Sequence, residues 1–253
     1  MCGLCGCEGA VHEATPERRD GGIPLVHAHG HAHGGGARLL EVEQSLLARN
    51  RDDAARLRAS LAARGIEAIA LVGGPGAGKT ALLEATFAAL GPAAAAREAV
   101  VEGDCATDRD ARRVAATGAR AVQVATGALC HLDAHLVEHA LEHLDLDGVS
   151  RVWIENVGNL VCTAGFPCGE QRRVALLSVP EGDDKPEKYP ALFASADLLV
   201  VSKSDLLPHV AFDVARCVAA AQRVRPGLPH LVVSARSGEG IDAWLAWLAQ
   251  GAR

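Results

Sequence analysis

Gly73-Gly74-Pro75-Gly76-Ala77-Gly78-Lys79-Thr80 is the stretch on which the reading of this chain turns. It fits G-x-x-x-x-G-K-S/T, a phosphate-binding loop. Upstream, residues Ile66 to Val72 read as a short buried strand running into the glycines, and Ala81 to Leu90 read as the helix that follows. Each residue type has a physical task. The glycines let backbone N–H groups turn inward to meet phosphate oxygens without a side-chain clash. The helix N-terminus adds its partial positive charge. Lys79 can reach the β- and γ-phosphates, and Thr80 offers a hydroxyl to Mg²⁺. Gly73, Gly74, Pro75, Gly76, Ala77, Gly78, Lys79, Thr80 and Ala81 are therefore the candidate phosphate cradle. A chance glycine-rich turn would lack the Lys-Thr pair and the matching flanks.

On either side of this loop, apolar runs alternate with helical patterns. Strands are expected at 66–72, 98–103, 121–125, 151–155, 173–179, 197–202 and 230–234, and helices at 79–90, 107–117, 131–145, 188–195, 210–224 and 239–249. This alternation predicts an α/β, doubly wound, mostly parallel sheet with helices on both faces. Ligands then bind beyond the carboxyl ends of the strands. Residues 38–64 read as a further helix packed on this domain, stopped by Gly65. The chain divides into an arm at 1–37 and a nucleotide-binding domain at 38–253.

The 253 residues are 49% apolar but only 3% aromatic, so the core must be built mostly of Ala, Val and Leu. The formal charge of −6 disfavours nucleic acid as a partner. No apolar run is long enough to cross a bilayer, and the N-terminus lacks the apolar stretch of a secretory signal. A soluble cytoplasmic protein is expected, with its eight cysteines read as thiols or metal ligands before disulfides.

The arm opens Met1-Cys2-Gly3-Leu4-Cys5-Gly6-Cys7 and later carries His27, His29, His31 and His33 in alternation. Without apolar periodicity it should be mobile when no ligand is bound. Three thiols within six residues can wrap one soft or borderline metal ion. The histidines form a looser auxiliary site or a polar linker.

Acids and thiols mark the carboxyl ends of the predicted strands. Asp104, after Val101-Glu102-Gly103, could hold Mg²⁺, orient the attacking water, or cap the next helix. Glu155, in Trp153-Ile154-Glu155-Asn156-Val157-Gly158, stands where a second Mg²⁺-organising carboxylate belongs. Lys79, Asp104 and Glu155 are the candidate catalytic residues, and Thr80, Asp104 and Glu155 the candidate Mg²⁺ ligands. Gly158 would let its loop swing toward a γ-phosphate. Cys162 follows four residues later, and Cys130-His131 closes the preceding strand-to-helix turn. The three can converge as a two-thiolate, one-imidazole site for Zn²⁺ or Ni²⁺. Buried core thiols are the plainer alternative. Cys105, Cys168 and Cys217 are read as structural, with Cys168 the nearest of them to the metal. His131, His135, His139 and His143, four residues apart, are either a solvated helical stripe or a path for metal toward His131.

Ser202-Lys203-Ser204-Asp205 stands where a guanine-reading N/T-K-x-D would be. An aspartate accepts from guanine N1–H and the exocyclic amine, which adenine cannot offer. Lys203 can lie along the base, and a backbone N–H of Ser234-Ala235 can approach the base oxygen.

Together these motifs resemble the HypB family, the nickel-insertion GTPases of NiFe-hydrogenase maturation, over nearly all of 1–7 and 38–250. The most specific pieces are the Cys2, Cys5, Cys7 cluster, Cys130-His131-Leu132-Asp133-Ala134, Glu155 to Cys162, and Gly182-Asp183-Asp184-Lys185-Pro186. The resemblance implies slow GTP hydrolysis with Mg²⁺ and a tight Ni²⁺ site at Cys2, Cys5 and Cys7. It also implies a second metal site at Cys130, His131 and Cys162, shared across a homodimer. The expected partners are a zinc-bearing HypA-type protein and the hydrogenase large subunit. Three features depart from the pattern: Ser202 in the base-reading motif, Thr163 where Pro would follow Cys162, and the added His tract. A nickel or zinc storage protein with weak turnover, a urease-type nickel chaperone, and a kinase or ATPase of the same fold are the alternatives.

Overall fold

The computed structural model describes residues 25–27, 36–104, 107–127 and 129–251. Cys2, Cys5, Cys7, His29, His31, His33 and Cys105 lie outside them. In chain order the elements are β1 (Leu25–His27), α1 (Gly36–Ala63), β2 (Glu67–Gly73), α2 (Lys79–Leu90), α3 (Pro92–Ala95), β3 (Glu98–Asp104), α4 (Arg109–Ala115) and β4 (Arg120–Ala125). They continue with α5 (Ala134–Leu141), β5 (Arg151–Glu155), α6 (Cys162–Gly165), β6 (Arg172–Ser178), α7 (Lys185–Lys188) and α8 (Pro190–Ser195). The last are β7 (Leu198–Ser202), α9 (Val214–Val224), β8 (His230–Val233) and α10 (Ile241–Ala249).

Every strand pairs in parallel, in the order β1-β4-β3-β5-β2-β6-β7-β8. Seven of these strands are those the apolar runs predicted. The eighth, β1, carries His27 and adds three residues to the β4 edge. From β2 the chain first builds β3, β4 and β5 on one side, then β6, β7 and β8 on the other. The central strand therefore sits at the reversal of strand order, where ligand crevices form.

Burial on both faces explains why strands such as β2 and β6 read as unbroken apolar runs. On one face Ile69, Leu71, Val174 and Leu176 pack against Leu82, Leu83 and Phe87 of α2 and Trp244 and Leu248 of α10. On the other, Leu57 and Leu61 of α1 and Val137 and Leu141 of α5 cover one half, while Phe193 of α8 and Cys217 of α9 cover the other. Few aromatics suffice because they cluster: Trp153 meets Phe87 at 6.1 Å and Trp244 at 6.0 Å, and Trp244 stacks on Trp247 at 5.4 Å.

The amino-terminal ends of the strands carry charges that pair with one another. Arg151 Nε donates to Glu67 and its Nη1 to Glu98, at 3.1 and 3.2 Å. Arg172 reaches Glu67 at 2.7 Å, and Trp153 Nε1 donates to Glu98 Oε2 at 2.6 Å. Burial raises the Glu98 pKa against the pull of Arg151, so the indole bond matters. Trp153→Phe should lower unfolding free energy by about 1–3 kcal/mol, the penalty of orphaning a buried acceptor. Denaturant melting would read this, with nucleotide affinity unchanged because the lost bond is made to Glu98, the first residue of β3, at the end of that strand away from the phosphate loop.

Candidate functional site

The carboxyl ends of β2, β3, β5 and β7 meet at one pole, and every described candidate residue lies there. Gly78, at φ 91°, supplies the left-handed turn that admits α2 immediately after the loop. Lys79 is buried and donates to Gly74 O at 3.3 Å, a loop-internal bond that a phosphate could replace. Thr80 Oγ1 donates to Glu155 Oε1 at 2.7 Å, so β5 delivers its terminal acid directly to the phosphate loop.

Glu155 is fully buried in this setting. Burial pushes its carboxyl up to about 7, against the opposing pull of Lys79 and Thr80. Its second oxygen, Oε2, is buried without a partner. Glu102 faces it as the β3–β5 register partner. Sequence reading passed over Glu102, although an acid interrupting the apolar run Ala99-Val100-Val101 is a visible anomaly. Burial, then the neighbouring Glu155 charge, raises the Glu102 carboxyl to about 9, and its Oε2 is also unpartnered. Asp104 ends β3 and accepts the Thr107 N–H at 2.9 Å, the turn-capping use of that side chain.

The loop after β5 is sewn onto the phosphate loop. Asn156 N donates to Leu71 O and Asn159 N to Gly73 O, at 3.1 and 3.0 Å. Gly158 lies so close to Pro75 that an added Cβ would sit 2.7 Å from its Cα. Asn159 Oδ1 then accepts from both Val161 N and Cys162 N, at 2.7 and 3.0 Å, which fixes where the Cys162 thiol emerges.

That thiol meets the loop after β4. Donor atoms of Cys130, His131 and Cys162 lie within 4.8 Å of one another, and the two sulfurs are 2.6 Å apart. The His131 ring stacks on Phe166 at 3.9 Å. Burial lowers the His131 pKa and favours the neutral imidazole that a metal requires. Two thiols and one imidazole suit a borderline ion such as Ni²⁺ or Zn²⁺. Among the described residues this is the one such cluster.

One expectation is corrected here. Helix α5 begins at Ala134, not at residue 131, because Asp133 caps it by accepting Leu136 N–H at 2.8 Å. His131 therefore belongs to the loop, and His135, His139 and His143 do not continue a helical stripe from it. His139 instead contacts Glu142 at 3.2 Å and the His143 ring at 5.1 Å. Cys217 and Cys168 are both core, and Cys168 also donates to Leu132 O, in the loop that carries Cys130 and His131, at 3.2 Å.

At the base-reading end, the Ser202 hydroxyl donates to Ala77 O at 2.6 Å and ties β7 to the phosphate loop. Lys203 takes the left-handed conformation, φ 60°, the one described non-glycine residue to do so. Asp205 Oδ1 accepts from Ser234 Oγ at 2.6 Å. Ser234 N–H is occupied by Glu239 O at 2.9 Å. Ser234 thus contributes by bracing Asp205 with its hydroxyl, and the adjacent Ala235 remains the backbone donor of that pair.

Known proteins share this sequence pattern and this fold. The family profile "CobW/HypB/UreG, nucleotide-binding domain" matches residues 67–232. The chain is 50% identical to the hydrogenase maturation factor HypB of Azotobacter vinelandii, covering 94% of this chain and 80% of that protein. With the HypB of Escherichia coli (strain K12) the identity is 48%, over 93% and 82%. The crystal structure of HypB from Helicobacter pylori in complex with nickel superposes with a TM-score of 0.75 at 34% identity, covering 80% of this chain and 94% of that one. HypB from Archaeoglobus fulgidus gives 0.74 at 35%, over 80% and 98%.

Two measurements follow from the site. Burial raises the Cys168 thiol well above its usual range and the Cys217 thiol to about 12, while Cys130 and Cys162 are half-exposed. Iodoacetamide near neutral pH should therefore label Cys130 and Cys162 on folded protein and spare Cys168 and Cys217, as peptide mass mapping would show. The folded Glu102 pKa lies above its unfolded value of 4.5. Its contribution to stability is thus present below that value and is lost as pH rises toward about 9. Without nucleotide or divalent ion, the melting temperature should fall across this window. Glu102→Gln should flatten that slope.

Proposed function

The chain belongs to the HypB family of hydrogenase maturation factors, and we propose that it hands nickel to the large subunit of a NiFe-hydrogenase under the control of GTP. Residues 67–232 form its P-loop GTPase domain. The observation that carries the proposal is the continuity of one short loop: Glu155, bonded to Thr80, begins it, and Cys162 of the thiol-imidazole cluster ends it.

Phosphoryl transfer depends on positioning and charge neutralisation more than on covalent chemistry. Lys79 and the amides of residues 73–81 hold the phosphates. The orphaned Oε2 of the Glu155 carboxylate, whose other oxygen Thr80 reaches, fits a divalent cation. Thr80, Glu155 and Asp104 would hold Mg²⁺, which supplies charge neutralisation when bound. Asp205, braced by Ser234, accepts from the guanine edge. Lys203 lies along the base, Ser202 fixes the motif to the phosphate loop, and the Ala235 amide meets the base oxygen.

Cys130, His131 and Cys162 take Ni²⁺ as cargo, with Zn²⁺ as a competing occupant. Cys2, Cys5 and Cys7 form the tight loading site of the arm at 1–37, and His27, His29, His31 and His33 a local reservoir. The γ-phosphate orders the loop after Glu155 and so alters the grip of Cys162 on the metal. A homodimer formed with GTP or metal, a zinc-bearing HypA-type partner and the hydrogenase large subunit complete the hand-off in the cytoplasm. No helix among the described residues is long and apolar enough to cross a membrane.

A hydrolysis assay tests the nucleotide half of this reading. GTP should outcompete ATP, and Lys79→Ala should slow turnover by about 100-fold or more, as expected for loss of a charge-stabilising donor. Equal competition by ATP would remove the guanine assignment. A metal titration tests the cargo half. Sulfur-to-nickel absorption bands should persist at the body site when Cys2, Cys5 and Cys7 are replaced by serine, and vanish when Cys130 and Cys162 are replaced as well.

A further inference from the structure

Leu132 is held from three directions, although it carries no chemistry itself. Its N–H donates to Asn156 Oδ1 at 2.8 Å. Its carbonyl accepts from the Cys168 thiol at 3.2 Å. Its side chain is fully buried over Gly103, where an added Cβ would lie 2.7 Å from Leu132 Cγ. Asn156 closes the arrangement: Oδ1 also accepts its own loop's Val157 N–H at 2.9 Å, and Nδ2 donates to Cys168 Sγ at 3.5 Å. This carboxamide, 1% exposed, thus uses both ends to join two loops. One of those loops carries Cys130 and His131 immediately before Leu132. The other begins at Glu155, immediately before Asn156. A backbone amide and carbonyl gripped in this way cannot shift without leaving buried polar groups unpaired, a penalty that makes the contact stiff.

We propose that Asn156 is the positioning residue that couples the nucleotide site to the metal site. Its carboxamide transmits movement at Glu155 to the Cys130-His131 loop through Leu132, with Cys168 as the second grip. The Asn159 bonds to Val161 and Cys162 move the remaining ligand with the same loop. All three metal donors are thereby linked to the phosphate loop by side chains that bind neither metal nor nucleotide. This inference rests on the GTP-gated reading above and names the residues that would carry the gating.

The experiment measures Ni²⁺ affinity at the body site with GDP and with a non-hydrolysable GTP analogue. It uses sulfur-to-nickel absorption in the full chain bearing Cys2→Ser, Cys5→Ser and Cys7→Ser. In that background the two affinities should differ by about 5- to 150-fold, the usual span of coupling between sites. Adding Asn156→Ala should bring the ratio within about twofold of one, on the same scale. The sulfur bands and the metal-free affinity for GDP should persist, which a purely structural role would not predict. Cys168→Ala removes only the second grip and should give an intermediate ratio. It carries the test by itself if Asn156→Ala does not fold. A ratio that survives in the folded variants overturns the role of Asn156 and leaves the gated reading standing. A ratio of one in the background chain overturns both.

Discussion

A strand inside a parallel sheet must satisfy both of its edges, and β5 does so with β2 on one side and β3 on the other. That double pairing fixes Glu155 opposite Leu71 and opposite Glu102 at once. No freedom remains in where the strand ends. The acid arrives at Thr80, the next residue arrives at Leu132, and the loop that follows is laid across the phosphate loop. A slip of one register position would turn each of these side chains to the opposite face. The chemistry at the carboxyl pole therefore inherits its precision from backbone hydrogen bonds formed along the whole strand.

The two poles of the sheet solve opposite problems. At the amino-terminal pole, arginine and glutamate side chains neutralise one another and the indole of Trp153 joins them. At the carboxyl pole, Glu102 and Glu155 face each other with buried oxygens unpartnered. Burying a carboxylate without a partner is unfavourable, so this pole holds its acids at the expense of stability. The neighbouring Lys79 offsets part of that cost. Such a pole is complete only when an outside cation or proton supplies what the fold withholds.

The elements that bury one periodic face were legible in the sequence. The seven predicted strands agree within two residues, because unbroken apolar runs between turn residues admit few other readings. The phosphate loop and the thiol cluster were legible through spacing and residue type. Side chains that hold backbone were not. Asn50 looked like part of a polar interruption in a helix, yet it is buried and bonds Ala134 N and Pro167 O, both at 2.9 Å. Asn156 was read as a motif letter without a task. The start of α5 was misplaced because the capping power of Asp133 outweighed the histidine spacing upstream. Ser234 was assigned by its backbone, but its hydroxyl braces Asp205. For Asn50, Asn156 and Ser234 the deciding partner is distant in sequence and no local pattern encodes it, whereas the Asp133 cap is local, its partner Leu136 lying three residues on.

Asn50 has a mechanical consequence. It lies within α1, the 28-residue helix that follows the thiol- and imidazole-rich segment, and it grips both the strand-to-helix turn at Ala134 and the chain at Pro167. A force applied ahead of Gly36 is carried to the thiol-bearing turns by a rigid rod. A helix advances about 100° per residue, so even slight winding or unwinding of that rod would swing the carboxamide out of its seat. A twist of α1 would then be felt, by torque alone, at the turn that carries the thiol and imidazole donors.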